Sequence, residues 1–302
     1  MDRGEYNKAL VVSDSILNAL ANNELNEFYA KTLLNKQIIY LQVSNFQKSI
    51  EFGNLAYLNF FKQKNILGQS KVTSNFVQAY YLGGNKKIAL NYGDTTLMLL
   101  LQQPYKEGLS SFCNNMGIIS EESTDTVKAL KYYYFGLKNI TNEEKQAEAL
   151  FSIRNNLVDI YLSKNIIDTV EQLLKCNRAL INKYRKTIDI TCIYNFKESE
   201  FKLFYNQKNY IKALNILSEQ SDLLNKIDDA SKNKFYFKNL YLTYLGLNNK
   251  DSALKYLLKY SESVKQENDN TNEFEINKLS FEVELKKEQE INSQKISYEK
   301  KN

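Results

Sequence analysis

Residues 126–130 read TVKAL, and the same short signature returns along most of the chain. It consists of a small residue followed by an apolar one, often with an aromatic three positions before the small residue. The steps between successive copies are 40, 40, 40, 40, 44 and 40 residues. The seven pairs are Ala9-Leu10, Ser49-Ile50, Ala89-Leu90, Ala129-Leu130, Thr169-Val170, Ala213-Leu214 and Ala253-Leu254. Self-similarity at this length is typical of stacked helical pairs, in which no single unit buries its own apolar face. The period therefore predicts an all-α solenoid that serves as a binding or scaffolding surface.

The overall composition agrees with this prediction. The chain has 302 residues, 43% of them apolar, with one proline and ten glycines. Such a composition favours long helices joined by short turns. A net charge of +5 is mild for this length, and the lysines are scattered among Asp and Glu. The segment is therefore not expected to bind nucleic acid.

The residue types present argue against an enzyme. There is no histidine, which removes the commonest general base and the commonest transition-metal ligand. Cys113, Cys176 and Cys192 are isolated within helical patterns, so we interpret them as small buried apolar residues. No glycine-rich stretch resembles a phosphate-binding loop that leads from a strand into a helix. We expect no catalytic residue, no metal site and no cofactor.

A second set of positions repeats with the signature. The residue fourteen positions before each small residue is most often asparagine, and an aromatic usually follows four or five residues later. The residues at this position are Asn35, Asn75, Asn115, Asn155 (beside Asn156), Ser199 and Asn239. This pattern resembles the tetratricopeptide repeat, as in Asn115-Met116-Gly117 and Tyr210-x-x-Ala213-Leu214. The resemblance covers about residues 1–268, or six and a half repeats. It departs from the family in its 40-residue period in place of 34, in having no tryptophan, and in lacking a proline that closes each repeat.

The resemblance implies a right-handed superhelical α-solenoid of antiparallel helix pairs. Six extra residues per unit amount to about a turn and a half of helix, so we expect longer helices rather than longer loops. The first helices of the pairs are predicted near 24–43, 68–82, 106–120, 143–163, 188–207 and 230–247. The second helices are predicted near 5–20, 46–63, 85–102, 125–139, 166–184, 210–226 and 250–267.

Tetratricopeptide arrays bind ligands mainly on the concave face, which the first helices line, and this implies a set of candidate contacts. The amides could serve an extended peptide, because each offers a donor and an acceptor. The cations could hold a carboxylate or an acidic segment. The structural alternatives are packing asparagines and solvated lysines. The candidate ligand-binding residues are Lys31, Lys71, Asn75, Asn114, Asn115, Arg154 and Lys238. The aromatic runs Tyr132–Phe135 and Phe235–Phe237 suggest core packing together with some hydrophobic groove.

Residues 269–302 read as a charged helix with no stop signal, and the chain opens on what resembles a second helix without its partner. We therefore expect a piece of a longer protein. The whole pattern resembles bacterial sensors in which a repeat domain precedes a membrane span and a histidine kinase or helix-turn-helix regulator. This implies a non-enzymatic periplasmic domain of an inner-membrane protein that binds a peptide or protein and signals through a homodimeric C-terminal helix. The alternatives are a cytoplasmic adaptor or scaffold and a peptide-responsive intracellular regulator.

Overall fold

A computed structural model describes residues 3–21, 26–104, 106, 108–185, 188–227 and 230–265. Within these ranges the backbone forms helices and turns and no strand. In chain order the helices are α1 (Arg3–Ala19), α2 (Glu27–Gln42), α3 (Phe46–Lys62), α4 (Ile66–Leu82), α5 (Lys86–Leu101), α6 (Leu109–Glu122), α7 (Thr126–Lys138), α8 (Ala147–Ser163), α9 (Ile167–Lys183), α10 (Ile190–Asn206), α11 (Tyr210–Leu224), α12 (Ala230–Gly246) and α13 (250–265).

Even-numbered helices are the first members of the predicted pairs, and odd-numbered helices are the second members. Helix α2 packs on α3, α4 on α5, α8 on α9 and α10 on α11. The all-α class and the repeating antiparallel pairs are therefore confirmed. The predicted bounds lie within a few residues of the observed ones because long apolar periodicity between turn residues is a strong helical signal. The predicted boundary at residues 268 and 269 and the predicted C-terminal helix lie outside the described residues.

Short turns of one design join the two helices of each pair and also join α3 to α4. Each turn places one residue in the left-handed region, and the next residue is the N-cap of the following helix. At Gly84 φ is 86°, and the Asn85 N–H donates to the Tyr80 carbonyl at 2.8 Å. The Asn85 side chain then accepts from the Ile88 N–H at 3.1 Å, which satisfies one unpaired donor of α5. The left-handed residues are Ser44, Lys64, Gly84, Thr124, Asn165, Lys208 and Asn248.

The small residues of the signature lie where helices cross closely. Ala89, Ala129 and Ala213 are 0% exposed and Ala253 is 4% exposed, as predicted. One member of the series is wrong. In α9 the residue four positions after the N-cap Ile166 is Val170, which is 0% exposed, whereas Thr169 is only half-buried.

The described chain divides into two compact units, of which the first runs up to Phe112 and the second starts at Cys113. Both units use a glycine to admit an aromatic ring from a neighbouring helix. A Cβ on Gly68 would lie 2.3 Å from the Phe60 ring in the first unit, and one on Gly117 would lie 2.2 Å from the Tyr133 ring in the second. Any side chain at these positions would displace a buried ring.

The cysteines and aromatic runs are only partly as predicted. Cys113 is buried, but Cys176 is exposed because it lies on the outer side of α9, so its interpretation as a buried residue is wrong. In the run that begins at Tyr132, Tyr133 is fully buried whereas Tyr134 is 48% exposed. Successive residues point about 100° apart around a helix, so a single run supplies both core and surface.

Candidate functional site

The first unit contains an open pocket between α2, α4 and the segment that follows α5. Its volume is about 960 Å³. Its apolar lining residues are Leu34, Ile38, Ile66, Leu67, Leu100, Pro104 and Phe112, and its other lining residues are Ser70, Lys71, Ser74, Asn75, Gln102, Gln103 and Gly108. The lining is thus mainly apolar, with its polar groups concentrated on α4. We call this feature the apolar pocket.

Two of the four polar side chains that α4 contributes to the pocket are already bonded within the protein. The Asn75 amide nitrogen donates to the Gln37 side-chain oxygen at 3.1 Å. Gln37 is itself fully buried and donates to the Val72 carbonyl at 3.2 Å. The Gln103 amide donates to the Ser70 hydroxyl at 2.7 Å. Asn75 is therefore a packing residue on one side while it lines the pocket on the other.

The second unit contains a different site, a polar groove along three first helices. It is formed by α6, α8 and α10, and its volume is about 260 Å³. The lining residues are Asn114, Ile118, Ser152, Asn155, Asn156, Asp159, Asn195, Glu198, Ser199 and Lys202. Nine of these ten side chains are polar. We call this feature the amide groove.

Hydrogen bonds from within the protein hold the groove amides in place through their oxygens. The Asn156 nitrogen donates to the Asn114 oxygen at 2.9 Å. The Asn155 oxygen accepts from the Asn177 nitrogen at 2.9 Å, and the Asn195 oxygen accepts from the Lys232 ammonium at 3.0 Å. Within the described residues, the amide nitrogens of Asn114, Asn155 and Asn195 donate no hydrogen bond. Three oriented donor groups therefore remain available along the groove.

Carboxylates outnumber cations among the groove's charged side chains. The Lys202 ammonium contacts both oxygens of Asp159, at 3.0 and 2.9 Å, and one oxygen of Glu198 at 3.6 Å. Burial lowers the pKa of Lys202, but these two carboxylates outweigh it and leave the pKa raised. Nearby, burial raises the pKa of Glu121, the hydrogen bond from Tyr133 lowers it, and Asp159 raises it further.

The structure distributes the seven predicted contact residues over several places. Asn114 lines the amide groove, and Lys71 and Asn75 line the apolar pocket. Lys31 is exposed and pairs with Glu27 at 2.7 Å on the same helix.

The other three predicted residues, like Lys31, line neither site. Asn115 and Lys238 are exposed. Arg154 is half-buried, and its charge contributes to the lowered pKa of Glu143, whose main cause is the hydrogen bond from Lys183. Whether any of the seven residues contacts a ligand stays a prediction.

The position of Arg154 reflects a change of register in α8. The left-handed turn residues Thr124 and Asn165 are 41 residues apart, one more than the period read from the sequence. Counted back from these turns, the counterpart of Asn114 is Asn155, and the counterpart of Asn115 is Asn156. The 40-residue spacing instead placed Arg154 in the row of Asn114, and the row assignment is wrong by one residue.

A second consequence of the shift concerns Phe151, which the same spacing aligned with Ser111. Phe151 is 1% exposed and belongs to the core, and Ser152 lines the groove in its place. The extra residue lies in the link between α7 and α8, where the Gln146 side chain accepts from the Thr141 and Asn142 backbone N–H groups at 2.8 and 3.0 Å.

The pair Asn155-Asn156 was a visible signal in the sequence that the register of α8 could be counted in two ways. Asp159 and Lys202 were not predicted because nothing in one sequence pairs two residues 43 positions apart.

Two further features are absent from the described residues. These residues contain no group of three or more Cys, Asp or Glu side chains placed to hold a metal ion. No helix in these ranges has both the length and the apolar character that crossing a bilayer requires.

Comparison with solved structures finds the tetratricopeptide fold. A tetratricopeptide repeat protein from Parabacteroides merdae ATCC 43184 is 13% identical, with a TM-score of 0.58 over 91% of this chain and 94% of that one. The APC/C hetero-tetramer Cut9-Hcn1 is 15% identical, with a TM-score of 0.62 over 91% of this chain and 46% of that one. A Rap protein complexed with competence and sporulation factor is 15% identical, with a TM-score of 0.57 over 87% of this chain and 72% of that one. No protein-family model and no curated protein matches the sequence.

These likenesses and the helix pairs agree that the chain has a tetratricopeptide-like repeat fold. Repeat folds of this type form extended surfaces that such proteins use for binding.

Proposed function

We propose that the chain is a non-enzymatic sensor domain of a bacterial signalling or transcription-regulatory protein and that it binds a peptide or protein segment in the amide groove. The fold supports the coarse part of this proposal, since it implies protein–protein interaction. The amide groove supports the proposal that a peptide or protein segment binds there. Its ligand is an extended segment whose backbone carbonyls accept from the groove amides.

The observation that carries the proposal is the orientation of the amides on three consecutive first helices. Asn114 on α6, Asn155 on α8 and Asn195 on α10 each have the side-chain oxygen engaged by an internal donor. Fixing the oxygen fixes the direction of the N–H groups, so they are pre-organised for an acceptor. An extended peptide presents carbonyl groups at regular intervals, which is the chemistry that such a row recognises.

Selection of binding peptides can test the groove directly. A random twelve-residue peptide display library is selected on the wild-type chain, and the affinity of the best peptide is then measured for variants by calorimetry. Asn156→Ala removes the donor that holds Asn114, and Asn195→Ala removes one groove amide. We expect each to weaken binding by about tenfold, in line with the loss of one or more hydrogen bonds. Arg154→Ala and Asn115→Ala, which lie beside the groove but do not line it, are matched controls and should change affinity less than about twofold.

The opposite result would favour the register predicted from the sequence alone, in which Arg154 lies in the row of Asn114. If Arg154→Ala weakens the selected peptide while Asn156→Ala and Asn195→Ala leave it unchanged, the ligand does not lie in the amide groove. Circular dichroism spectra and melts of all four variants verify that each remains folded.

The output of the sensor is the second part of the proposal. We place the domain in the periplasm, attached to the inner membrane by a region outside this chain, with signalling through a homodimer of residues 269–302. The test uses the full-length parent protein with a cysteine at Ser293, after the exposed Cys176 has been replaced by serine. A membrane-impermeant maleimide should label Ser293→Cys in intact cells with a permeabilised outer membrane, and a short thiol cross-linker should trap a dimer. Labelling only after lysis would place the domain in the cytoplasm, and absence of any cross-linked dimer would exclude the paired helix.

A peptide-responsive intracellular regulator is the second candidate function. It is favoured by the similarity to the Rap protein, which was solved in complex with competence and sporulation factor. A cytoplasmic adaptor without signalling output is the third. Both predict protection of Ser293→Cys in intact cells, and the peptide selection described above applies equally to them.

A further inference from the structure

The apolar pocket of the first unit holds a cation that has no counter-charge among the residues that the structure describes. Lys71 lines the pocket on α4 and is exposed. Within the described residues its ammonium makes no ion pair. Lys31, which lies one repeat earlier, is paired with Glu27 at 2.7 Å. The described lining of the pocket contains no acidic side chain at all. A negatively charged group beside Lys71 would therefore be attracted and not repelled.

The remainder of the pocket supplies an apolar surface next to this charge. Leu67 precedes Lys71 by one helical turn and is 51% exposed, while Leu34 and Phe112 form the buried back of the pocket. Two of the neighbouring polar groups on α4 are already bonded, because Ser70 accepts from Gln103 and Asn75 donates to Gln37. The site thus offers one free charge and a broad apolar wall, with few other polar contacts to satisfy.

A volume of about 960 Å³ and a mainly apolar lining with a few convergent polar groups are properties of small-molecule sites. We propose that this pocket binds a small amphiphile, an alkyl chain of medium length that ends in a carboxylate. The carboxylate pairs with the Lys71 ammonium, and the chain lies on Leu67, Ile38 and Leu34. This site is separate in residues and in chemistry from the amide groove.

Isothermal titration calorimetry with decanoate below its micellar concentration tests the proposal on the intact chain. Decanoate should bind with one-to-one stoichiometry, and decyltrimethylammonium, which carries the opposite charge, should not bind. Lys71→Met should weaken decanoate binding by about tenfold or more, because a charge-assisted contact is lost, and Lys71→Arg should restore most of it. Leu67→Asp should weaken binding comparably, because it places a carboxylate in the pocket. Since both side chains are exposed, neither substitution is expected to disturb the fold.

Two controls separate this site from other lysines and from the groove. Lys31→Met removes an exposed lysine on α2 that lies outside the pocket and should leave decanoate affinity within about twofold. Asn156→Ala, which alters the amide groove, should also leave it unchanged. The proposal is overturned if decanoate does not bind, if decyltrimethylammonium binds equally well, or if Lys71→Met binds like the wild type. Binding of an apolar tripeptide with a free C-terminus, but not of decanoate, would also overturn it.

Discussion

The apolar pocket of the first unit and the amide groove of the second are built from equivalent positions of the same repeat, yet their chemistry is opposite. Counted from the turns, Leu34 and Ser74 in the first unit correspond to Asn155 and Glu198 in the second. The pocket has a single cation and no described acid, whereas the groove has two carboxylates around Lys202. The backbone of a repeat determines the position of each side chain, and the side-chain type determines which ligand chemistry can bind there.

The two regions also differ in how their asparagines are used. Asn75 bonds to the buried Gln37 and so joins the packing of the first unit. Asn156, at the equivalent position in the second unit, bonds to Asn114 on the neighbouring first helix. The same residue type therefore supports the core in one unit and the surface of a groove in the other. Repeat position alone does not distinguish a packing role from a binding role.

The comparison depends on both units sharing one helix-crossing register, and overpacking that crossing should give the largest effect. Ala89 in the first unit and Ala129 in the second are both 0% exposed. We expect Ala89→Leu and Ala129→Leu each to lower the free energy of unfolding by roughly 1–3 kcal/mol. Urea titration followed by circular dichroism measures this change. Val127→Leu on the same helix as Ala129 is the control, since Val127 is 66% exposed. Unchanged stability of Ala129→Leu would show that the position is open and that the shared register is wrong.

Helix caps should give an intermediate effect and sharpen the difference between the units. In the first unit Asn85 caps α5, whereas in the second unit Ile166 occupies the cap of α9 and its side chain makes no such bond. Asn85→Ala should destabilise by about 1 kcal/mol, and Ile166→Asn should stabilise by a similar amount, because it supplies the missing acceptor. Ile166 is 41% exposed, so little apolar burial is lost. Thermal melts of the two variants should shift in opposite directions. A lower melting temperature for Ile166→Asn would mean that its remaining contacts outweigh the cap.

A dependence on pH should be the smallest effect and should belong to the second unit. Burial raises the pKa of Glu121 above its usual 4.5, with Asp159 adding to the rise. The folded chain therefore holds this proton at a pH where the unfolded chain has released it. As a result, the Glu121 contribution to stability is most favourable at low pH and falls as pH rises from about 4.5 through the folded-state pKa.

Comparison with a variant isolates this contribution from those of other carboxylates. Urea unfolding of the wild type and of Glu121→Gln over about pH 4 to 7 should show a less negative slope of stability against pH for the variant. Carbon-13 NMR titration of the Glu121 carboxyl group reports its pKa directly. A pKa at or below 4.5 in the folded chain would contradict the prediction.

Local patterns were sufficient to predict the helices. The helices have apolar residues at helical spacing, and most of them begin after an Asn or Asp cap. These signals act within a few residues of one another. The burial of Ala129 was predictable for the same reason, because a small residue that returns at a constant period marks a constant crossing. The exposure of Cys176 was readable from the sequence but missed, because α9 is amphipathic and Cys176 lies off the apolar stripe that includes Val170 and Leu174.

The candidate sites lie at the limit of such reasoning. Asn114 was found because it belongs to a repeating row, and Lys71 was found as one of the cations that the first helices present in such rows. Asn195 was visible in the same rows, but its engagement by Lys232 was not. The pairing of Asp159 with Lys202 joins residues 43 positions apart on two helices, and no local signal connects them.

The sequence by itself determined the all-α class, the pairing of helices and the close crossings at its small residues, because these depend on periodicity within the chain. Only the tertiary structure decided that Asn155 and Asn156, and not Arg154, face the groove with Asn114. One additional residue between Ala129 and α8 rotates the side chains of α8 and of the start of α9 by about 100° relative to the 40-residue count. The link that absorbs it is held by local hydrogen bonds from the Thr141 and Asn142 backbone N–H groups to the Gln146 side chain. A shift of one residue leaves the helical periodicity of the sequence intact but changes which side chains face a ligand. The neighbouring helices determine which residues of α8 line the groove.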